Sequence, residues 1–177
     1  FFPLSVSFPH CASSMSQITT KQVPSQKTVC IKNEKTPAAM LGSMISSLGI
    51  SLLAFCADQS IPMAGPGFTI QQEDGEYYNL EAYLPVSGTG QPRGNISFRE
   101  VPGGQAISLI LQGWFLDKTS FLWCSGSYEG LAGAHETLKK HAEAQKLKVT
   151  QIREIYLKGP KDTASPSEYQ TEIQYFY

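Results

Sequence analysis

No excess of charge of either sign marks this chain of 177 residues: 14 lysines and arginines stand against 15 aspartates and glutamates. A protein that neutralises a phosphate backbone needs a basic face. No nucleic-acid partner is therefore expected. Cysteine is scarce as well, and Cys11, Cys30, Cys56 and Cys124 are scattered with no C-x-x-C pair, a spacing that suits neither a zinc site nor a disulfide framework. They read as reduced, and the expected location is cytoplasmic. The three histidines form no ligand set, since His135 and His141 are six apart and fall on different faces of a helix. No metal and no cofactor is expected.

Charge is missing altogether from Thr36 to Ala57, a length that matches a bilayer. The stretch nevertheless carries Ser43, Ser46, Ser47 and Ser51, and its larger residues Leu41, Met44, Ile45, Leu48, Leu52 and Phe55 form one stripe at helical spacing. It reads as an apolar core helix, and no membrane partner is expected. The first residues, FFPLSVSFPHCASS, lack the positive region of a signal peptide. Residues 1–15 read as a disordered or artefactual leader, and 16–177 as one domain, the number that this length allows.

What the chain does contain is a faint internal repeat. Lys21-Gln-Val-Pro-Ser-Gln-Lys-Thr-Val-Cys-Ile resembles Arg99-Glu-Val-Pro-Gly-Gly-Gln-Ala-Ile-Ser-Leu, 78 positions on. Later features repeat at 91: the helix starts at Thr36 and Ser127, and the stretches around Glu81 and Glu172. The difference of thirteen is the length of Trp114–Gly126, which marks 114–126 as an insertion in the second copy. Repeat one spans 17–87 and repeat two 99–177. Each reads β-α-β-β: strand 27–32, helix 37–57, strand 67–72 and strand 76–86, then strand 105–112, helix 127–145, strand 151–157 and strand 169–176. Thr36-Pro37 and Ser127 supply the expected N-caps. The fold class that follows is α+β: two β-α-β-β repeats with pseudo-twofold symmetry, an antiparallel-rich sheet and both helices on one face.

The residues Ser127-Tyr-Glu-Gly-Leu, Leu138, Arg153-Glu-Ile-Tyr-Leu-Lys-Gly-Pro-Lys-Asp-Thr and Thr171-Glu-Ile-Gln-Tyr-Phe resemble the GyrI-like small-molecule-binding domain, found as the effector-binding domain of bacterial multidrug-responsive transcription activators. The resemblance covers 99–177 outside the insertion and, more weakly, 17–87. It implies a central cleft for lipophilic, often cationic or polycyclic, small molecules, with a final-strand glutamate at its floor; position for position this is Glu172. Strand alternation agrees, putting Glu172, Gln174 and Phe176 on one face and Thr171, Ile173 and Tyr175 on the other. Glu81, its repeat mate, falls on the equivalent side with Tyr83. A carboxylate ringed by Tyr156, Tyr83 and Phe68 would attract a flat cation; the plainer alternative is a solvated strand glutamate. The resemblance also implies that Tyr128 borders the cleft. Glu154 shares a strand face with Tyr156, so both can point to the cleft. The first copy has Thr36-Pro37 in place of the Tyr-Glu pair, so the site is not expected to be symmetric.

The insertion holds both tryptophans, Trp114 and Trp123. Three readings of it stand open: an aromatic lid over the ligand with Trp114 in contact, a partner-contacting patch, or a gene-model artefact. The function expected is a stand-alone small-molecule-binding protein for sequestration or resistance, no helix-turn-helix segment accompanying the domain. The alternatives are a GyrI-like hydrolase of cyclopropane-bearing alkylating agents with Glu172 as general base, and a protein-interaction module such as a gyrase modulator.

Overall fold

The computed structural model describes residues 14–112, 128–159 and 162–177. The chain runs β1 (Ser14–Met15), β2 (Thr19–Val23), β3 (Gln26–Pro37), a 3-10 turn (Ala38–Met40), α1 (Leu41–Asp58), β4 (Phe68–Asp74) and β5 (Tyr77–Pro85). It continues through β6 (Ile96–Val101), β7 (Gly104–Gln112), α2 (Tyr128–Ala144), β8 (Gln151–Lys158), a 3-10 turn (Pro166–Glu168) and β9 (Gln170–Phe176). All nine strands join one sheet in the order β1-β7-β9-β8-β4-β5-β3-β6, with β2 also on β7, and every pairing is antiparallel. The order reads as a pseudo-twofold about the β4/β8 junction. That junction is short: Phe68 faces Ile155 and Thr69 faces Glu154.

Period-2 alternation divides the strands cleanly. Val29 and Ile31 of β3 and Leu80, Ala82 and Leu84 of β5 meet the α1 stripe of Leu41, Ile45, Leu48, Leu52 and Phe55. Ile107 and Leu109 of β7 and Ile173 and Tyr175 of β9 meet Ala134, Leu138 and Ala142 of α2. Both helices thus lie on one face, each over its own half. The stretch Ala38–Asp58 is long and apolar enough to cross a bilayer; in this fold its apolar stripe is the core of the first half.

The eight expected elements are present, with two differences. Thr36 does not cap α1. It stays in β3 opposite Tyr78, buried, with its hydroxyl 2.6 Å from Asn33 Nδ2, because a register irregularity between Asn33 and Thr36, where Lys35 has φ 54, carries the strand on to Pro37. The helix then starts through the 3-10 turn, and Met40 at its N-cap makes no side-chain bond. Each repeat also has one strand more than expected, β2 and β6. These are exchanged between the halves: β2 pairs β7 and β6 pairs β3.

The exchange makes the two Val-Pro links cross. Gly103 lies so close to the first link that a Cβ there would stand 2.1 Å from the Val23 carbonyl oxygen and 2.5 Å from the Pro24 carbonyl carbon, so only glycine fits. Beneath the crossing Arg153 is 1% exposed. Its Nη2 donates to the Pro102 carbonyl at 2.6 Å and its Nε to Gln151 Oε1 at 2.8 Å. The guanidinium lies over Phe176 at 4.1 Å and Phe68 at 5.3 Å. The face opposite the helices is therefore packed, not open.

Candidate functional site

The expected carboxylates lie on that packed face. Glu172 is 6% exposed, ion-paired with Lys21 of β2, and accepts from Gln174 Nε2 at 3.1 Å. Glu81 pairs with Lys32 and, at 3.2 Å, with Arg99, and Tyr83 donates to it. Burial alone would push the Glu81 carboxyl up, but hydrogen bonds from Lys32 and Tyr83 and the charges of Lys32 and Arg99 bring it below the usual range. The same surroundings, burial first and then Glu81, push the Tyr83 phenol well up.

The two carboxylates do not converge. Glu172 sits opposite Ile155, Ile155 opposite Phe68, and Phe68 opposite Tyr83; β8 and β4 therefore stand between β9 and β5, about 14 Å in all at ordinary strand spacing. The space between them is filled by Phe68 and Tyr83, stacked with centroids 5.0 Å apart, together with Ile155, Val101 and Cys30. Tyr156, expected beside Glu172, is on the opposite face. The alternation that points Glu172 away from α2 turns Glu154 and Tyr156 toward the helices. Tyr128 begins α2; its side chain, Trp114 and the whole 114–126 insertion lie outside the described residues, as do residues 1–13 of the leader.

The helix-side furrow is built differently. α1 covers β3 and β5, and α2 covers β7 and β9, which leaves β4 and β8 as its floor. On the α1 side is a narrow crevice of about 10 Å³, lined by Ile45, Gly49, Leu52, Thr69, Leu84 and Tyr156. Gly49 keeps the helix surface low at that point. From the crevice a chain of polar groups crosses the junction to α2. Thr69 Oγ1 is 2.9 Å from the Tyr156 hydroxyl, which donates to Glu154 Oε2 at 3.3 Å. Glu154 Oε1 is 3.0 Å from His135 Nε2, and His135 Nδ1 is 3.1 Å from the Tyr175 hydroxyl. Burial, then the Glu154 charge, push that phenol up to about 12.

Glu154 is 6% exposed, and among the described residues its hydrogen-bonding and ion-pairing partners include no lysine or arginine. A buried carboxylate beside an apolar crevice and a tyrosine is an arrangement suited to a flat organic cation. Sequence reasoning set Glu154 on one strand face with Tyr156 but pointed both to the cleft of Glu172; the structure turns them to the other face, toward the helices. His135 and Tyr175 were missed. The signal was present in that His135 interrupts the α2 stripe of Leu131, Ala134, Leu138 and Ala142, and a polar residue on a core-facing stripe needs a buried partner. Among the described residues no group of three or more His, Cys, Asp or Glu is placed to hold a metal ion.

No protein-family model and no curated protein matches the chain. Solved structures do. The C-terminal domain of EcmrR superposes with a TM-score of 0.71 at 20% identity, over 90% of this chain and 96% of that one. The EcmrR chain in its DNA complex gives 0.71 and 21%, and this chain spans only 56% of its length. SAV2435 bound to tetraphenylphosphonium superposes with a TM-score of 0.59 at 11% identity, over 91% and 93% of the two chains, and a hydrolase from Listeria innocua gives 0.52 at 13%, over 90% of each. Identities this low carry the fold and nothing finer. The fold of this chain, nine antiparallel strands in two exchanged halves with a helix over each, is thus shared with the EcmrR C-terminal domain and SAV2435, in keeping with the resemblance of the sequence to GyrI-like domains.

Proposed function

We propose that this chain is a small-molecule-binding module for lipophilic cations, with the furrow between α1 and α2 as its site and Glu154 as its counter-charge. The observation that supports this most is the pairing of a 6% exposed carboxylate with uncharged or titratable partners only. Tyr156 and the apolar wall of Ile45, Leu52 and Leu84 would face the organic part of the ligand. At about 10 Å³ the crevice is far below the roughly 300–1,000 Å³ common for ligand pockets, so admission of a drug-sized ligand requires α1 and the neighbouring side chains to move apart. SAV2435, a structural relative, holds the lipophilic cation tetraphenylphosphonium, which is consistent with this ligand class. The reading keeps Tyr156 from the expected site and replaces Glu172, which Lys21 already neutralises. Calorimetric titration with tetraphenylphosphonium tests it: saturable binding weakened in Glu154→Gln supports the site, and equal affinity in that variant removes it.

Hydrolysis is the second reading, favoured by the contact of Glu154 with His135, an acid–base pair able to take a proton from water. Consumption of a strained cyclopropane-bearing alkylating agent that stops in Glu154→Gln would establish it; saturable binding with no consumption would leave binding alone.

A further inference from the structure

We infer that His135 is an internal counter-cation for Glu154, so that binding of a permanent organic cation expels one proton from the site. The inference rests on the site proposed above. In the unliganded chain Glu154 Oε1 is 3.0 Å from His135 Nε2, and the far side of the imidazole is held by Tyr175 at 3.1 Å. The Tyr175 hydroxyl also lies 3.3 Å from the His135 main-chain carbonyl, to which it donates. With that proton so engaged, Nδ1–H donates to the Tyr175 oxygen, and the Nε2–Oε1 contact must itself hold a proton, on the imidazole or on the carboxyl. The pair then carries no net charge, either as neutral imidazole against carboxyl or as imidazolium against carboxylate.

Among the described residues no other charge takes over this role. β8 presents Glu154 to the imidazole, β9 presents Tyr175, and β7 contributes the apolar Ile107 and Leu109 to the same cluster. Tyr156 reaches only the other carboxylate oxygen, at 3.3 Å. On α2 itself Lys139, one turn further on, is exposed, and Glu136 is paired with Lys140. Arg153 is on the far face of the sheet under the strand crossing.

A ligand cation and an imidazolium cannot both sit against one buried carboxylate without strong repulsion. When the cation arrives, the shared proton leaves to solvent and the side chain of His135, 27% exposed, swings clear. Linkage fixes the sign: binding that releases one proton tightens about tenfold per pH unit. That slope holds on the acid side and flattens once the pair has already lost its proton.

The test is calorimetric titration of the full chain with tetraphenylphosphonium across pH 5.5–8, in buffers of different ionisation enthalpy. The expected result is release of about one proton per cation on the acid side, none at the alkaline end, and a flat profile without release in His135→Asn. Triphenylphosphine oxide, uncharged, is expected to bind without releasing a proton. Should His135→Asn fold poorly, the His135 ring resonances of the wild-type chain give the same answer by changing from the charged to the neutral pattern on titration. Binding that depends on Glu154 but releases no proton at any pH, with His135 unchanged, overturns the inference and leaves the site standing. Affinity equal in Glu154→Gln overturns both.

Discussion

The two faces of the sheet each hold a buried carboxylate, Glu172 on one and Glu154 on the other, and the company they keep differs. On the face away from the helices, Glu172 has Lys21, and Glu81 has Lys32 and Arg99. These partners are lysines and an arginine, so both carboxylates are already ion-paired and serve to pin β2, β3 and β6 to the strands beneath. On the helix face Glu154 has an imidazole and a tyrosine, partners able to release it. A carboxylate with a permanent partner belongs to the fold; one with a releasable partner is available to a ligand. Burial alone does not separate them, since Glu154 and Glu172 are each 6% exposed.

Arg153 offers the most drastic way to break the comparison. Removing it takes away the bond to Pro102 and the stack between Phe68 and Phe176 that closes the face away from the helices. Arg153→Ala is expected to cost about 3 kcal/mol by chemical denaturation, mostly as lost packing, while Arg153→Met, which keeps the stem, should cost clearly less. Gly103→Ala attacks the same crossing through the Val23 carbonyl. It should destabilise by more than the ~1 kcal/mol of an ordinary substitution, with little change in affinity for tetraphenylphosphonium in the fraction that folds.

Smaller in scale, Glu154→Gln is expected to weaken tetraphenylphosphonium about thirtyfold, taking ~2 kcal/mol for a buried charge pair that loses one partner. Its stability should change little. Glu81 sharpens the contrast by pH. Its folded carboxyl titrates below the usual range, so its contribution is present above the unfolded value and disappears as pH falls through the folded one. The stability deficit of Glu81→Gln is therefore expected to be present at pH 7 and to vanish toward pH 3 in urea titrations. The smallest effect belongs to Tyr156→Phe, which removes one hydroxyl from the Thr69–Glu154 bridge; a loss of about fivefold in affinity corresponds to the ~1 kcal/mol of one hydrogen bond.

Most of the architecture was legible in the sequence because it is written in local signals. The Leu41–Phe55 stripe and the alternation along Thr171–Phe176 each report a short stretch of backbone. β2 and β6 were not legible: Thr19–Val23 and Ile96–Val101 find their partners in the other half of the chain, and no local pattern announces an exchange. The difference over which residues share a face has the same origin. Alternation separated Glu172 from Ile173 and set Glu154 with Tyr156, but which face stays open depends on the crossing of the two Val-Pro links and on Arg153 beneath it. Nor does spacing bring His135 to Glu154. That contact arises from the seating of α2 on β7 and β9.

The most direct test sets the two faces against each other in one titration series. Calorimetry with tetraphenylphosphonium on the wild-type chain, Glu154→Gln and Glu172→Gln should show binding lost or strongly weakened in the first variant and retained in the second. Retained binding in Glu154→Gln with loss in folded Glu172→Gln would contradict the account and move the site to the face away from the helices.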